Sequence, residues 1–283
     1  MLNKIKTILK RLVFTRLNRK STDYFHRIPN NMKNLKRYIR KGDVVLVEGN
    51  QRLSELIKLF TQSHWSHSAF YVGNELIKEG SIHREKILSE FGDQAKHMVV
   101  EAITGQGVIV SPLDKYEFYN LRVSRPYGIT KSDIKEVVKY VVGNIGREYD
   151  NRNIYDIAFS LLPLGLNPWK KKSLEICIGN CDEFTVTCSG LIAKAFHFVG
   201  YPISPAIDIA DDEKVSIESG SPYGQNFTKR HFSHITPADF DLSPNFSIIK
   251  FNIIEDGDFD YKSLELDEEK KLNRPVDATL NSL

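Results

Sequence analysis

Three cysteines in 283 residues cannot all pair, and nothing at the start of the chain reads as a secretory signal, so reduced thiols in the cytoplasm are the expectation. Glycine-rich phosphate loops are missing too. Gly73, Gly80, Gly105 and Gly107 are isolated turn residues, which leaves kinase and nucleotidase readings nothing to rest on. There is no internal repeat, no low-complexity block and no uninterrupted apolar run of membrane-spanning length. Nor is charge of one sign in large excess. A net +3 is too small to argue for nucleic acid, and no nucleic-acid-binding motif is present, so no such partner is expected. What remains is 41% hydrophobic and 27% charged residues, the balance of a soluble globular protein, in a length that allows one sizeable domain with tails.

The charge is unevenly placed. Residues 1–20 hold Lys4, Lys6, Lys10, Arg11, Arg16, Arg19 and Lys20 with no acid, while Leu2, Ile5, Leu9 and Leu12 form an apolar row flanked by Ile8 and Val13. That pattern predicts an amphipathic helix with a cationic face within a basic segment spanning residues 1–38. Such a helix fits an anionic membrane surface, which would make the protein peripheral, and fits equally a helix that packs on the following domain or frays in water. A mitochondrial presequence matches the composition as well. The acidic stretch 255–283 is expected to be a mobile tail, leaving residues 39–254 for the main domain.

Two distant segments carry chemistry. After Cys188, the residues Leu191, Ile192, Ala195, Phe196 and Val199 fall on one helical face, with Lys194 and His197 opposite and Gly200 as a stop. Thr185 or Thr187 can cap this helix, so Cys188 lies in its first turn, where free N–H groups and the macrodipole favour a thiolate. A cysteine there also serves as a small buried apolar residue. Ser66-His67-Ser68 opens a run rich in aromatic and β-branched residues that ends at Gly73-Asn74. It predicts a strand beginning at His67 and turning through a hairpin toward Glu75-Leu76-Ile77. His64 competes with His67 for the role of base, but a strand fixes His67.

An imidazole that accepts a thiol proton works best when its other nitrogen is held by an acceptor. The strand predicted over residues 97–102 has Glu101 at its far end, and antiparallel pairing with the His67 strand would bring the two together. Thr104 and Gln106 are weaker candidates for the same polar position. The rival use of the thiols is zinc: Cys177 and Cys181 are three residues apart, and Cys188 with His197 or His67 could complete a set. No second paired motif supports that, so no metal and no organic cofactor are expected.

Elsewhere, Thr130 with Asp133 predicts a capped helix carrying Ile134, Val137, Val138, Val141 and Ile145 and ending near Gly146. Residues 154–162 read as a short apolar helix, residues 165–172 as an exposed loop, residues 203–232 as a long loop or flap, and residues 246–253 as a strand closing the sheet. The class is α+β.

In this order the segments resemble the permuted papain-like branch of the NlpC-type cysteine peptidase superfamily, specifically the YiiX/YebB-like hydrolases, in which histidine precedes cysteine. The resemblance runs over residues 40–252: Lys41-Gly42-Asp43-Val44-Val45-Leu46, the Ser66-His67 strand, Val99-Val100-Glu101-Ala102, Gly107-Val108, Arg122-Val123, Tyr149-Asp150, Cys188-Ser189 and Ile235-Thr236-Pro237-Ala238-Asp239. It implies a circularly permuted papain-like fold, an antiparallel sheet or small barrel packed against helices. It also implies Cys188 as nucleophile, His67 as base and Glu101 as third polar residue. The expected activity is thiol-dependent cleavage of an amide in a small peptide or cell-wall-derived substrate, with contacts from Gln106, Tyr149 and Trp169. The alternatives are a lecithin:retinol acyltransferase-like thiol acyltransferase or lipid hydrolase at a membrane, and a non-catalytic binding module.

Overall fold

The computed structural model describes residues 19–21, 24–27, 30–148, 187–203, 205–207, 227–229 and 231–252. The chain divides into two compact units, residues 1–252 and 253–283, and every described residue belongs to the first. The predicted N-terminal helix, the 154–162 helix, the 165–172 loop and the acidic tail lie outside the described residues.

The sheet begins with β1 (Val44–Glu48), whose run Val-Val-Leu-Val is buried at every position. A strand apolar at both odd and even positions needs cover on both faces, and it has it. Val44 and Leu46 enter one core with Phe70, Val72 and Val100, while Val45 and Val47 enter another with Ala69, Tyr71 and Val99. Helix α1 (Met32–Tyr38) covers the second face through Leu35, and Ile39 follows it there; Asn31 caps this helix by accepting from Asn34 N at 2.9 Å. Helix α2 (Arg52–Thr61) follows β1, and the chain returns as β2 (His67–Gly73), β3 (Met98–Ile103), β4 (Gly107–Pro112) and β5 (Asn120–Pro126). Helix α3 (Arg84–Phe91) lies between β2 and β3. With β8 (Phe246–Ile249), these strands make a six-stranded antiparallel sheet in the order β4-β3-β2-β1-β5-β8. Among the described residues it is open, with β4 and β8 at its edges, which is the sheet form of the expected fold rather than the barrel form.

On the first face, α4 (Lys131–Val142) buries Val137, Val138 and Val141, and α5 (Cys188–Phe198) buries Leu191, Ile192, Ala195 and Phe196. Phe196 meets Phe70 edge-on with ring centroids 6.1 Å apart. Each such fully buried aromatic contributes about 2–3 kcal/mol relative to exposure. Helix α6 (Pro237–Leu242) starts with a capping box between Thr236 and Asp239. No helix among the described residues is long and apolar enough to cross a membrane.

Four expectations need correction. The run Glu75–Ile77 is a 3-10 turn and not the second strand of a hairpin. It drives Leu76 into the core, and α3 then intervenes before β3, which takes the place beside β2. Helix α4 stops at Gly143 rather than near Gly146. The ends of the 203–232 loop pair as two short strands, β6 (Pro205–Ile207) and β7 (Phe227–Lys229), in a separate sheet. Strand β8 ends at Ile249, short of residue 253.

One glycine is demanded by the β4 start. Gly107 has φ +82, and a Cβ there would sit 2.3 Å from the carbonyl oxygen of Arg147, which accepts from Val108 N at 2.8 Å. Gly107→Ala is expected to cost on the order of 2–4 kcal/mol, since both the left-handed backbone and the close approach oppose it. Urea denaturation would show this as a lowered midpoint, and an unchanged midpoint would refute the close approach.

Candidate active site

The Thr187-Cys188-Ser189-Gly190 segment divides its work by residue. Thr187 is the N-cap, its Oγ1 accepting from Gly190 N at 3.0 Å, which makes Cys188 the first residue of α5. A Cβ on Gly190 would lie 2.6 Å from that Oγ1, so glycine leaves room for the cap. Ser189 Oγ donates to the carbonyl of Ile235 at 2.5 Å and ties the helix start to the segment before α6. Cys188 alone is left without a structural task, at a helix terminus that favours negative charge.

His67 is the first residue of β2 and pairs with Val47 of β1. Just before it, Ser66 N donates to the Val47 carbonyl at 3.1 Å, and Ser66 Oγ accepts from Gly49 N at 2.9 Å, which pins the strand's entry. Strands β2 and β3 pair with Phe70 opposite Val100 and Tyr71 opposite Val99. Continued, that register puts His67 and Glu101 on one face as diagonal neighbours. His67 Nε2 lies 2.8 Å from Glu101 Oε2. With Nε2 engaged, Nδ1 is the nitrogen left to face the thiol, and Cys188 and His67 lie close enough for each to perturb the other's titration. His64, the rival base, is exposed, with its Nδ1 3.2 Å from Arg27 Nη2.

Glu101 has no exposed side-chain surface. Besides His67, its carboxylate takes Lys115 Nζ on Oε1 at 2.6 Å and the Tyr116 hydroxyl on Oε2. Lys115 also lies 5.2 Å from the Tyr116 ring centroid. Sequence reasoning missed both. They come from the 3-10 turn Leu113–Tyr116 after β4, whose Leu113 and Tyr116 are buried in the second core, and no motif marks that turn.

Charges in this site support one another. Burial alone would lower the His67 pKa, but its hydrogen bonds to Cys188 and Glu101 and their charges push it up to about 9. Burial opposes ionisation of Cys188, yet His67 and the backbone N–H of Ser68 hold it below the ordinary thiol value. Burial likewise opposes ionisation of Glu101, and the His67 and Lys115 cations outweigh it, holding the carboxyl far below its usual range. Tyr116 is pushed well above its ordinary value by burial and by Glu101, so it stays a donor. These shifts together favour a thiolate facing an imidazolium, backed by a carboxylate.

The three groups open into a cleft of about 260 Å³. One wall carries Thr104, Gln106, Lys115 and Tyr116; another carries Leu53, Ser54 and Ile57 of α2. Gln106 thus stands where a substrate contact was expected, while Tyr149 and Trp169 lie outside the described residues. The α2 wall was not anticipated. Its signal was present in the sequence, since Leu53 and Ile57 are four residues apart on one helical face. Cys177 and Cys181 are outside the described residues, and among the described ones no group of three or more His, Cys, Asp or Glu is placed to hold a metal ion.

A thiol at a helix start, beside an imidazole held by a buried carboxylate, is the arrangement by which a cysteine hydrolase holds its nucleophile and base. Residues 38–157, somewhat under half of the chain, match the family described as permuted papain-like amidase enzyme, YaeF/YiiX, C92 family. Among solved structures, metalloprotein yiiX from Escherichia coli O157:H7 is similar at 15% identity with a TM-score of 0.44, over 75% of this chain and 97% of that one. Comparison with curated proteins finds no match.

Proposed function

We propose that the protein cleaves an amide bond in a small peptide or cell-wall-derived substrate through an acyl-enzyme, with Cys188 as nucleophile, His67 as acid and base, and Glu101 as the acceptor that holds His67. The observation that carries this reading is the continuous contact from Cys188 through His67 to Glu101, opening on a cleft. The Cys188 thiolate attacks the carbonyl carbon, and the C–N bond breaks as His67 Nδ1–H protonates the departing amine. Neutral His67 then takes a proton from water, whose oxygen displaces Cys188 and releases the acid. Glu101 keeps its hydrogen bond to Nε2 throughout, which fixes the ring and offsets its positive charge. The description of the family as amidases favours nitrogen over oxygen leaving groups. The lipid-directed alternative draws its support from residues 1–20, which lie outside the described residues.

The test is the pH dependence of Cys188 alkylation, read by mass spectrometry in the wild type and in His67→Ala. Wild-type Cys188 is expected to be labelled well below the ordinary thiol range, and His67→Ala to lose that advantage. Turnover of an amide substrate should fall above about pH 9, because His67 is a proton donor only below its raised pKa. A Cys188 equally inert in both proteins would defeat the hydrolase assignment.

A further inference from the structure

Alternation along β2 sends Ser68, Phe70 and Val72 to the face covered by α5, opposite to His67. Ser68 is fully buried there, and its Oγ has no hydrogen-bond partner among the described residues. A buried hydroxyl with no partner is unfavourable, and alanine would fill the same space without that penalty. Cys188 begins the helix packed on this strand, and the Ser68 backbone N–H favours the charged form of its sulfur besides His67, with the Ser68 hydroxyl within reach of the same atom.

We propose that Ser68 is the second positioning group of the nucleophile: its hydroxyl turns about one bond to donate to Cys188 Sγ when the thiol ionises. The inference rests on the assignment of Cys188 as nucleophile and extends it. His67 and Ser68, adjacent in sequence and opposed by the pleat, then hold the sulfur from two sides, His67 by charge and Ser68 by a neutral hydrogen bond. No proton is lost from Ser68. When Cys188 is acylated the sulfur is no longer charged, and the hydroxyl returns to its unpartnered state. The donor therefore stabilises the free thiolate and not the thioester.

The distinguishing experiment is the alkylation pH profile of Cys188 in wild type, Ser68→Ala and Ser68→Thr, with thermal unfolding of each. Ser68→Ala is expected to shift the labelling midpoint upward by about one pH unit and to slow labelling several-fold near pH 6, while melting no lower than wild type. Ser68→Thr, which restores a hydroxyl, should recover the wild-type midpoint. A purely structural hydroxyl would alter the melting temperature and leave the labelling profile in place, and that result in Ser68→Ala would overturn the proposal alone. A wild-type Cys188 that labels no faster than an ordinary thiol would instead overturn the nucleophile assignment and the proposal with it.

Discussion

Cys188→Ala is expected to lower kcat for an amide substrate by at least about 10³-fold while leaving the fold intact. The two parts of that expectation have separate grounds. The sulfur makes no contact that the helix needs, because Thr187 caps α5, Ser189 anchors it to Ile235 and Gly190 leaves room for the cap. A methyl group in its place removes one atom at a helix start and leaves the capping bonds untouched. What disappears is the sulfur opposite His67. Cys188→Ser is the sharper version. It keeps the size and a nucleophilic atom type, but a hydroxyl ionises far above the thiol range, so the resting ion pair cannot form. Its activity should fall nearly as far. Circular dichroism and melting should match the wild type in both variants. An ester substrate should build up a covalent acyl adduct in the wild type and none in Cys188→Ala. Retention of more than about a tenth of the activity by the alanine variant would mean that another residue attacks the substrate.

How much of this was legible in the sequence depended on whether a signal was local. The strand through His67, the helix after Cys188 and the Thr130 cap are set by neighbouring residues, and each was placed within a residue or two at its start. The stretch after Gly73 failed because a glycine followed by asparagine reads as a hairpin. The outcome there was decided by packing, with Leu76 entering the core through a 3-10 turn and α3 filling the gap before β3. The end of α4 was misplaced for a related reason. Ile145 continues the helical row but packs from the turn beyond Gly143.

The site divides the same way. Glu101 could be placed beside His67 from antiparallel pairing alone, because strand register is arithmetic once the partners are right. Lys115 and Tyr116 could not, since they reach Glu101 only through a turn that follows the next strand. Ser68 was visible only as a polar residue inside an apolar strand. Its meaning depends on which face α5 covers, and that is a property of the whole fold.

The largest effect on stability should come from Glu101. Removing it by Glu101→Leu leaves the Lys115 ammonium, the Tyr116 hydroxyl and His67 Nε2 facing an apolar group in a site with no water-exposed carboxylate surface. Breaking a buried pair in this way costs on the order of 3–5 kcal/mol. The pH dependence identifies the source. Glu101 is held far below its unfolded pKa, so its contribution is fully present above the ordinary carboxylate range and fades as pH falls toward the folded value. His67 has the opposite sign: raised to about 9, it stabilises fully below its ordinary pKa and loses that contribution as pH rises through about 9. The stability gap between wild type and Glu101→Leu should therefore be widest between roughly pH 5 and 7 and narrow in both directions. Glu101→Gln isolates the catalytic part. Two donors meet Oε2 and one meets Oε1, so an amide in either orientation sets its NH2 against a donor. If it faces His67, Nε2 must become an acceptor, the ring proton moves to Nδ1, and a neutral imidazole stands opposite a neutral thiol. The expected result is a fall in kcat of about 10²–10⁴-fold, with an upward shift in the Cys188 alkylation midpoint. Glu101→Gln with wild-type turnover and an unshifted midpoint would show that His67 needs no anionic partner, and would reduce Glu101 to a structural charge for Lys115.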